Sequence, residues 1–376
     1  MKICFDARVI LDHQTGLGNY TYNLIKSLLE IDRQNFYVLL IRPQLRKDHP
    51  IHLLEQQNLV KKYVNISPVS ISQQLLLLFV LLREKPDLYH YPNWDVPLLQ
   101  PVKSIFTIHD LTYLLVDDAY LKYKRLKKIY TRLNIFLGLK KAKKIITVSE
   151  STKKDLLNLF QLSPDKIKVI YEACEDGFND QKLNSDPKLS DHHGEGGYRY
   201  FLWVGEQRPH KNLVRTIQAF SLFKERHKNY KLVVIGKPYA SYDEPLQWVQ
   251  RLNLSDDVIF DGYVDTEKLV RWYKNAEALL FVSLYEGFGL PILEAMKCGT
   301  AIITSNISAT NEIAGDAAIK VNPYDVNAIF EAMDTIVKNK LLKEGLIQKG
   351  YSRIQAFSWR RAAEQTLALY ESAYKI

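Results

Sequence analysis

Short apolar runs rich in Val, Ile, Leu and aromatic residues alternate with longer stretches of helical periodicity along the whole 376-residue chain. Such alternation predicts parallel α/β sheets. In the first half the expected strands are Ile3–Ala7, Phe36–Ile41, Asp87–Tyr91, Ser104–His109, Lys144–Ser149 and Lys168–Tyr171. In the second they are Tyr200–Val204, Lys231–Ile235, Val258–Phe260, Ala278–Val282, Ala301–Thr304 and Ala318–Val321. Between the two sets, Asp180 to Gly197 is polar, holds Pro187 and the run His192-His193-Gly194-Glu195-Gly196-Gly197, and has linker composition. A pattern that runs twice, in a chain too long for one core, predicts an α/β protein of two Rossmann-like doubly wound domains facing a central cleft. The expected parts are an N-terminal domain over 1–178, a linker over 179–198 and a C-terminal domain over 199–357. The longest apolar run, Leu75 to Leu82, falls short of the roughly 20 residues that span a bilayer and is expected to be a helix buried in the first domain, with part of an interfacial face as the alternative.

Composition adds little beyond a globular class, whereas charge is uneven. Of the net +9, nearly all belongs to residues 1–178, which hold 26 Lys and Arg against 18 Asp and Glu. Lys122 to Lys144 concentrates ten basic residues, and no acidic residue occurs between Asp118 and Glu150. Leu126, Ile129, Tyr130, Leu133 and Phe136 recur through it at helical spacing, so an amphipathic basic helix is expected. It suits contact with an anionic membrane surface, a solvated helix face being the plainer alternative; no nucleic-acid recognition motif accompanies it, and nucleic acid is not an expected partner. Cys4, Cys174 and Cys298 stand far apart and read as buried free thiols. The start, Met1-Lys2-Ile3-Cys4-Phe5-Asp6, reads directly as a strand without a secretory leader, so the expected location is cytoplasmic, peripheral at the inner face of the cell membrane if the basic helix binds there.

Four motifs fall at expected strand ends, where an open α/β sheet places its ligand sites. Tyr285-Glu286-Gly287-Phe288-Gly289-Leu290-Pro291-Ile292-Leu293-Glu294 follows the strand Ala278–Val282. Gly287 and Gly289 permit a tight turn, Pro291 suits a first helical position, and Glu294 is expected in the first helical turn. The amides from Gly287 to Leu290 would meet a phosphate, with Glu286 and Glu294 accepting hydrogen bonds from sugar hydroxyls. Val204-Gly205-Glu206-Gln207-Arg208-Pro209-His210-Lys211 offers a strand-end glycine and a helix-start lysine as a diphosphate clamp. Thr107-Ile108-His109-Asp110 puts an imidazole at a third strand end, and Thr15-Gly16-Leu17-Gly18-Asn19-Tyr20 is a glycine loop leading to a helix near Tyr20. Neither an Asp-x-Asp pair nor a Cys/His cluster of metal-binding spacing occurs, and the His192-His193 pair has no third ligand, so no metal is expected.

With two glutamates separated by seven residues, Glu286 and Glu294, the chain resembles the retaining glycosyltransferases of GT-B fold, glycosyltransferase family 4, group 1. The resemblance implies that Glu294 holds the nucleotide ribose, that Glu286 contacts the donor sugar and that Lys211 binds the diphosphate. It places His109 beside the donor sugar, so that His109 and Glu286 are the expected catalytic residues, with Asp110 bracing the loop. Gly16 and Gly18 would approach the diphosphate, and Val264, in Gly262-Tyr263-Val264, would face the base. Asn93 and Trp94, in His90-Tyr91-Pro92-Asn93-Trp94, resemble an acceptor-side loop, and a helix of about 358–376 is expected to return to the first domain. Glu206 stands where many relatives carry a phosphate-binding arginine, and His210 replaces another; Arg208 is the expected substitute. The implied reaction is metal-independent transfer, with retention, of a hexose from a nucleotide-diphosphate sugar to a saccharide or lipid-linked acceptor in cell-surface polysaccharide synthesis. GDP-mannose is the leaning, no cofactor is needed, and a sugar-nucleotide epimerase and a catalytically silent nucleotide-sugar-binding scaffold are the alternatives.

Overall fold

The computed structural model describes the chain apart from residues 13–14, 69, 96, 117–124, 179–196, 240–241 and 376. Most of the expected linker, its His192-His193 pair, and Lys122 and Lys124 of the basic segment therefore lie outside the described residues. The chain divides into two compact units, one of Met1–Leu114, Leu121–Ala173 and Ser358–Ile376, the other of Leu115–Tyr120 and Cys174–Phe357.

In chain order the first unit carries β1 (Lys2–Asp6), α1 (Gly16–Ile31), β2 (Phe36–Ile41), β3 (Leu59–Tyr63), α2 (Ile71–Glu84), β4 (Leu88–Tyr91) and β5 (Lys103–Ile108). There follow α3 (Thr112–Leu115), α4 (Arg125–Lys141), β6 (Lys144–Thr147), α5 (Glu150–Phe160) and β7 (Ile167–Val169). The second unit holds β8 (Arg199–Val204), α6 (Leu213–Arg226), β9 (Tyr230–Ile235), α7 (Glu244–Arg251), β10 (Val258–Gly262), α8 (Thr266–Asn275) and β11 (Leu279–Phe281). It continues with α9 (Leu290–Cys298), β12 (Ile302–Ser305), α10 (Ser308–Ala314), β13 (Ile319–Val321), α11 (Val326–Lys338) and α12 (Lys340–Arg353). The helix α13 (Trp359–Lys375) then packs on α1 in the first unit.

Among the described residues the strands form two parallel sheets, ordered β3-β2-β1-β4-β5-β6-β7 and β10-β9-β8-β11-β12-β13. In both, the order reverses beside the unit's first strand, and the central strands are buried on both faces, which is why they read as continuous apolar runs. The edge strand β3 was not anticipated: its sequence, Leu-Val-Lys-Lys-Tyr, is mostly half-exposed and lacks that signature. Its backbone pairs in parallel with β2 from Leu59 to Tyr63.

Two further expectations need correction. The run Leu75–Leu82 lies in α2, but only one of its faces is buried. Leu77 and Leu81 join the core, while Leu75, Leu76, Phe79 and Leu82 are exposed. The glycine loop is the first turn of α1 rather than a lead-in to Tyr20: Thr15 caps the helix by accepting from the Gly18 amide at 3.0 Å.

A buried ion pair closes the carboxyl end of β1. Asp6 accepts from the Arg8 guanidinium at 2.6 Å and from the Tyr89 hydroxyl at 2.6 Å, and both partners of the ion pair are fully buried. Burial alone would favour neutral Arg8, but Asp6 outweighs that and holds it above its ordinary value. Replacing Asp6 by Asn should leave the buried charge uncompensated and cost about 3–5 kcal/mol. Lys62→Ala, which removes a half-exposed pair with Glu84, should cost less than about 1 kcal/mol. Urea unfolding of the two variants checks the contrast, and equal losses would mean the buried pair is no anchor.

Candidate functional site

In the second unit, three glycines stand in a row at the carboxyl ends of adjacent strands. Gly205 after β8, Gly236 after β9 and Gly262 at the end of β10 have φ of 150°, 135° and 70°. The Gly205 amide donates to Ile235 and the Gly236 amide to Gly262, which binds the three strand ends together. A Cβ on Gly236 would lie 1.8 Å from the Gly205 carbonyl oxygen, so this approach requires glycine. Sequence reading singled out Gly205 and Gly262 but not Gly236, although a glycine directly after a predicted strand was the available signal. Val264, two residues beyond Gly262, is half-buried.

Lys211 lies in the short 3₁₀ turn Pro209–Lys211, before α6 rather than at its start. The turn is tied down on two sides. The His210 carbonyl accepts from the Leu284 amide at 2.7 Å, and the Asn212 side chain donates to the carbonyls of Val282 and Pro323. These bonds bring Lys211 to the loop after β11, where its Nζ meets Glu286 Oε1 at 2.6 Å, with both side chains largely shielded. Lys211 also stands over the Phe281 ring, 5.3 Å from its centroid. Glu286 in turn takes its backbone position from Ser308, whose hydroxyl accepts the Glu286 amide at 3.2 Å.

The turn into α9 is made by Gly289, with φ of 113°. Pro291 is the second helical residue rather than the first, and Glu294 falls in the second turn, not the first. Phe288 turns its ring inward, edge-on to Phe357 at 6.0 Å, so any part it has in donor binding belongs to its backbone. Leu290 opens the helix and is half-buried, whereas Gly287 is buried. Glu294 is half-buried and accepts from the buried Tyr273 hydroxyl at 2.7 Å. Burial pushes its carboxyl up to about 7; the Tyr273 bond opposes the rise and Glu175 adds to it.

Neither substitution at the expected arginine positions leaves an isolated charge. Glu206 accepts from Arg208 at 2.6 Å, and the Arg208 guanidinium lies over the Tyr239 ring at 4.5 Å. Arg208 is thus engaged beside the Gly205 turn. His210 is driven down to about 3 by burial first and then by Lys211 and Arg208, so it is neutral at ordinary pH. Its contribution is backbone support and not phosphate charge.

In the first unit, His109 follows β5. Its Nδ1 lies 2.7 Å from Glu172 Oε1, its carbonyl accepts from the Thr152 hydroxyl at 3.2 Å, and its ring meets Tyr20 edge-on at 4.5 Å. Sequence reading missed Glu172; the signal was an acidic residue directly beyond the expected strand Lys168–Tyr171. Asp110 accepts from the Thr112 amide at 2.8 Å and so braces the turn after His109. Asn93 is buried and accepts the Trp94 amide, and the Trp94 ring packs at 5.3 Å on Tyr113. Gly16 and Gly18 both lie in the first turn of α1 without positive φ, so backbone freedom does not explain them. The structure thus brings Lys211 to Glu286 and His109 to Glu172, while Glu294 is engaged separately by Tyr273. Among the described residues no group of three or more His, Cys, Asp or Glu side chains could hold a metal ion.

A cation, a paired carboxylate and a helix N-terminus at strand ends can receive a phosphorylated sugar, and comparison with known proteins bears on this. Residues 185–353 match the family described as glycosyl transferases group 1, and residues 15–175 match Glycosyltransferase Family 4. The O-antigen chain mannosyltransferase B of Escherichia coli is 27% identical, over 99% of this chain and 100% of that protein. A sucrose-phosphate synthase from Thermosynechococcus elongatus matches in structure with TM-score 0.76 at 18% identity, covering 100% of this chain and 99% of that one. Anabaena HepE in complex with UDP and glucose matches with TM-score 0.74 at 15% identity, covering 99% of this chain and 100% of that one. Both solved structures share the fold, GT-B, with its two α/β domains.

Glu294 carries a pH signature. A carboxyl whose folded value lies above the ordinary 4.5 favours folding fully below that pH, and the contribution is lost as pH rises to about 7. The loss should approach about 3 kcal/mol, and Glu294→Gln should flatten it. Thermal melts of both proteins across this range check the expectation; identical pH profiles would contradict it.

Proposed function

Because the chain belongs to the group 1 glycosyltransferases, with a Family 4 first half, we propose that it transfers a hexose, mannose in the first instance, with retention of anomeric configuration. The donor is a nucleotide-diphosphate sugar, GDP-mannose before others, and the acceptor is a saccharide or lipid-linked saccharide of a cell-surface polysaccharide. The Escherichia coli relative, an O-antigen chain mannosyltransferase, supports the mannose and O-antigen reading, and the UDP complex of the Anabaena protein supports a nucleotide donor.

The observation that carries the proposal is the Lys211–Glu286 pair beside the Gly289 turn. In the reaction Lys211 moves to the diphosphate and stabilises the charge that grows on the leaving phosphate as the glycosidic bond breaks, with the α9 N-terminus adding its dipole. Glu286, released from Lys211, accepts hydroxyl hydrogens of the donor sugar, Glu294 those of the ribose, and Val264 faces the base. The acceptor hydroxyl attacks on the face the phosphate leaves, and its proton passes to the departing phosphate oxygen, so no enzyme-bound sugar forms. Lys211 and the helix N-terminus meet the phosphate charge without a metal ion. The Glu206–Arg208 pair is the feature that favours the silent-scaffold alternative, since it occupies an arginine beside the expected phosphate position.

A thermal-shift screen of GDP, UDP, ADP and dTDP sugars should give one responding base series, worth about 2.7 kcal/mol at 100 times the dissociation constant. Lys211→Ala should abolish the shift and lower kcat/KM by about 10²–10³. If folded protein responds to none of them, transfer is the wrong reading; a shift without product favours the scaffold.

The first unit also offers a partner surface. On α4, Ile129, Tyr130 and Leu133 are 63%, 56% and 52% exposed, interspersed with Lys128, Arg132, Lys140 and Lys141. The helix α2 exposes apolar side chains of its own, and its buried Leu77 and Leu81 share a core cluster with Ile135 and Leu139 of α4. Leu98 ties the two helices together, its amide donating to Gln74 and its carbonyl accepting from Lys141. No helix among the described residues is long and apolar enough to cross a membrane. Apolar side chains ringed by cations suit the headgroup layer of an anionic bilayer, where a lipid-linked acceptor would reside. In vesicle flotation the protein should bind phosphatidylglycerol-containing membranes and not purely zwitterionic ones. Ile129→Asp with Leu133→Asp should release it, and unchanged flotation of that variant would remove the surface from consideration.

A further inference from the structure

We propose that Glu172 is the positioning residue for His109: it holds the imidazole hydrogen on Nδ1, so that Nε2 is presented as a hydrogen-bond acceptor for a substrate hydroxyl. The inference rests on the glycosyltransferase reading for the identity of that hydroxyl, but its geometry stands alone.

Three observations carry it. Glu172 is 4% exposed and lies just beyond β7, where its Oε1 meets His109 Nδ1 at 2.7 Å. A carboxylate only accepts, so the hydrogen in this bond belongs to the ring nitrogen. On the other side of the ring, Nε2 is buried and has no hydrogen-bond partner among the described residues. An imidazole kept for structure alone would be expected to satisfy both nitrogens, because an unpaired buried acceptor costs folding free energy.

The ring is also fixed against reorientation. Thr152, at the start of α5, holds the His109 carbonyl, and Tyr20 lies edge-on to the ring with an interplanar angle of 87°. Tyr20 is itself bound to Thr107 at 3.1 Å, and Thr107 to His90 Nε2 at 2.8 Å. Turning the imidazole over would put a carbon against Glu172 and lose the 2.7 Å bond. What Nε2 can then do is accept from a donor that arrives with the substrate. A sugar hydroxyl supplies such a donor, whereas a phosphate oxygen does not.

The ¹⁵N chemical shifts of the His109 imidazole in the free protein test the proposal, with the signals assigned by their loss in His109→Gln. A neutral ring protonated at Nδ1 is expected in the wild type, and a shift toward the Nε2-protonated form in Glu172→Gln. In kinetics Glu172→Gln should lower kcat about 10- to 100-fold with the donor KM changed by less than about twofold, and Glu172→Asp should recover part of the loss. A wild-type ring protonated at Nε2, neutral or cationic, overturns the proposal, as does a folded Glu172→Gln with wild-type shifts and turnover. If Glu172→Gln does not fold, the wild-type spectrum still decides. A wild type that transfers no sugar from any donor would instead defeat the glycosyltransferase reading, with the tautomer read independently.

Discussion

The buried charge of Arg8 is the constraint around which the first unit is organised. A guanidinium without access to water must have every contact supplied by protein, and here the suppliers come from separate parts of the chain. Asp6 neutralises it, the Ile66 carbonyl accepts from it at 3.1 Å, and Gln73 accepts at 3.0 Å. Gln73 passes the connection on to Asp95, which also accepts from Tyr91 at 2.7 Å, while Tyr89 bonds Asp6 directly. One network thereby fixes the carboxyl ends of β1 and β4, the start of α2 and the loop just beyond Asn93 and Trp94. The candidate acceptor-side residues Asn93 and Trp94 directly precede Asp95, the member of the network on that loop.

The second unit solves a different problem with backbone rather than charge. Its candidate donor-side loops turn on glycines of positive φ at 205, 236 and 262, and at Gly236 the strand ends touch where any side chain would strike the Gly205 carbonyl. The polar side chains then settle in pairs: Lys211 with Glu286, Arg208 with Glu206, and Glu294 with Tyr273. In the free protein each of these candidate ligand groups thus has an internal partner, and on the proposed reading binding exchanges one partner for another.

Much of this was legible in the chain because buried parallel strands advertise themselves as apolar runs and turns advertise themselves as glycines. The edge strand β3 escaped because Lys61 and Lys62 interrupt its apolar character, a composition suited to an edge exposed to water. The run in α2 misled because hydrophobicity shows that a residue avoids water without showing whether protein covers it; Phe79 is 66% exposed. The placement of Glu294 was off by one turn, since Pro291 is tolerated in the second helical position as well, where its missing N–H would have no intrahelical partner. The pairing of Glu172 with His109 was missed for a more general reason. The two lie 63 residues apart, and spacing along the chain carries no information about a contact made by strands brought together in a sheet.

The return of α13 to the first unit bears on how the protein is made. Tyr370 bonds His90 Nδ1 at 2.6 Å, and Lys103 donates to the Tyr374 carbonyl, so the sheet of residues 2–169 takes its final support from a helix translated after the entire second unit. During synthesis the second unit has all of its strands and helices available while the first still lacks its covering helix and leaves α1 partly bare. The half of the molecule that is made first is therefore the half that is finished last, and any lesion in residues 359–375 falls on the fold of the other end of the chain.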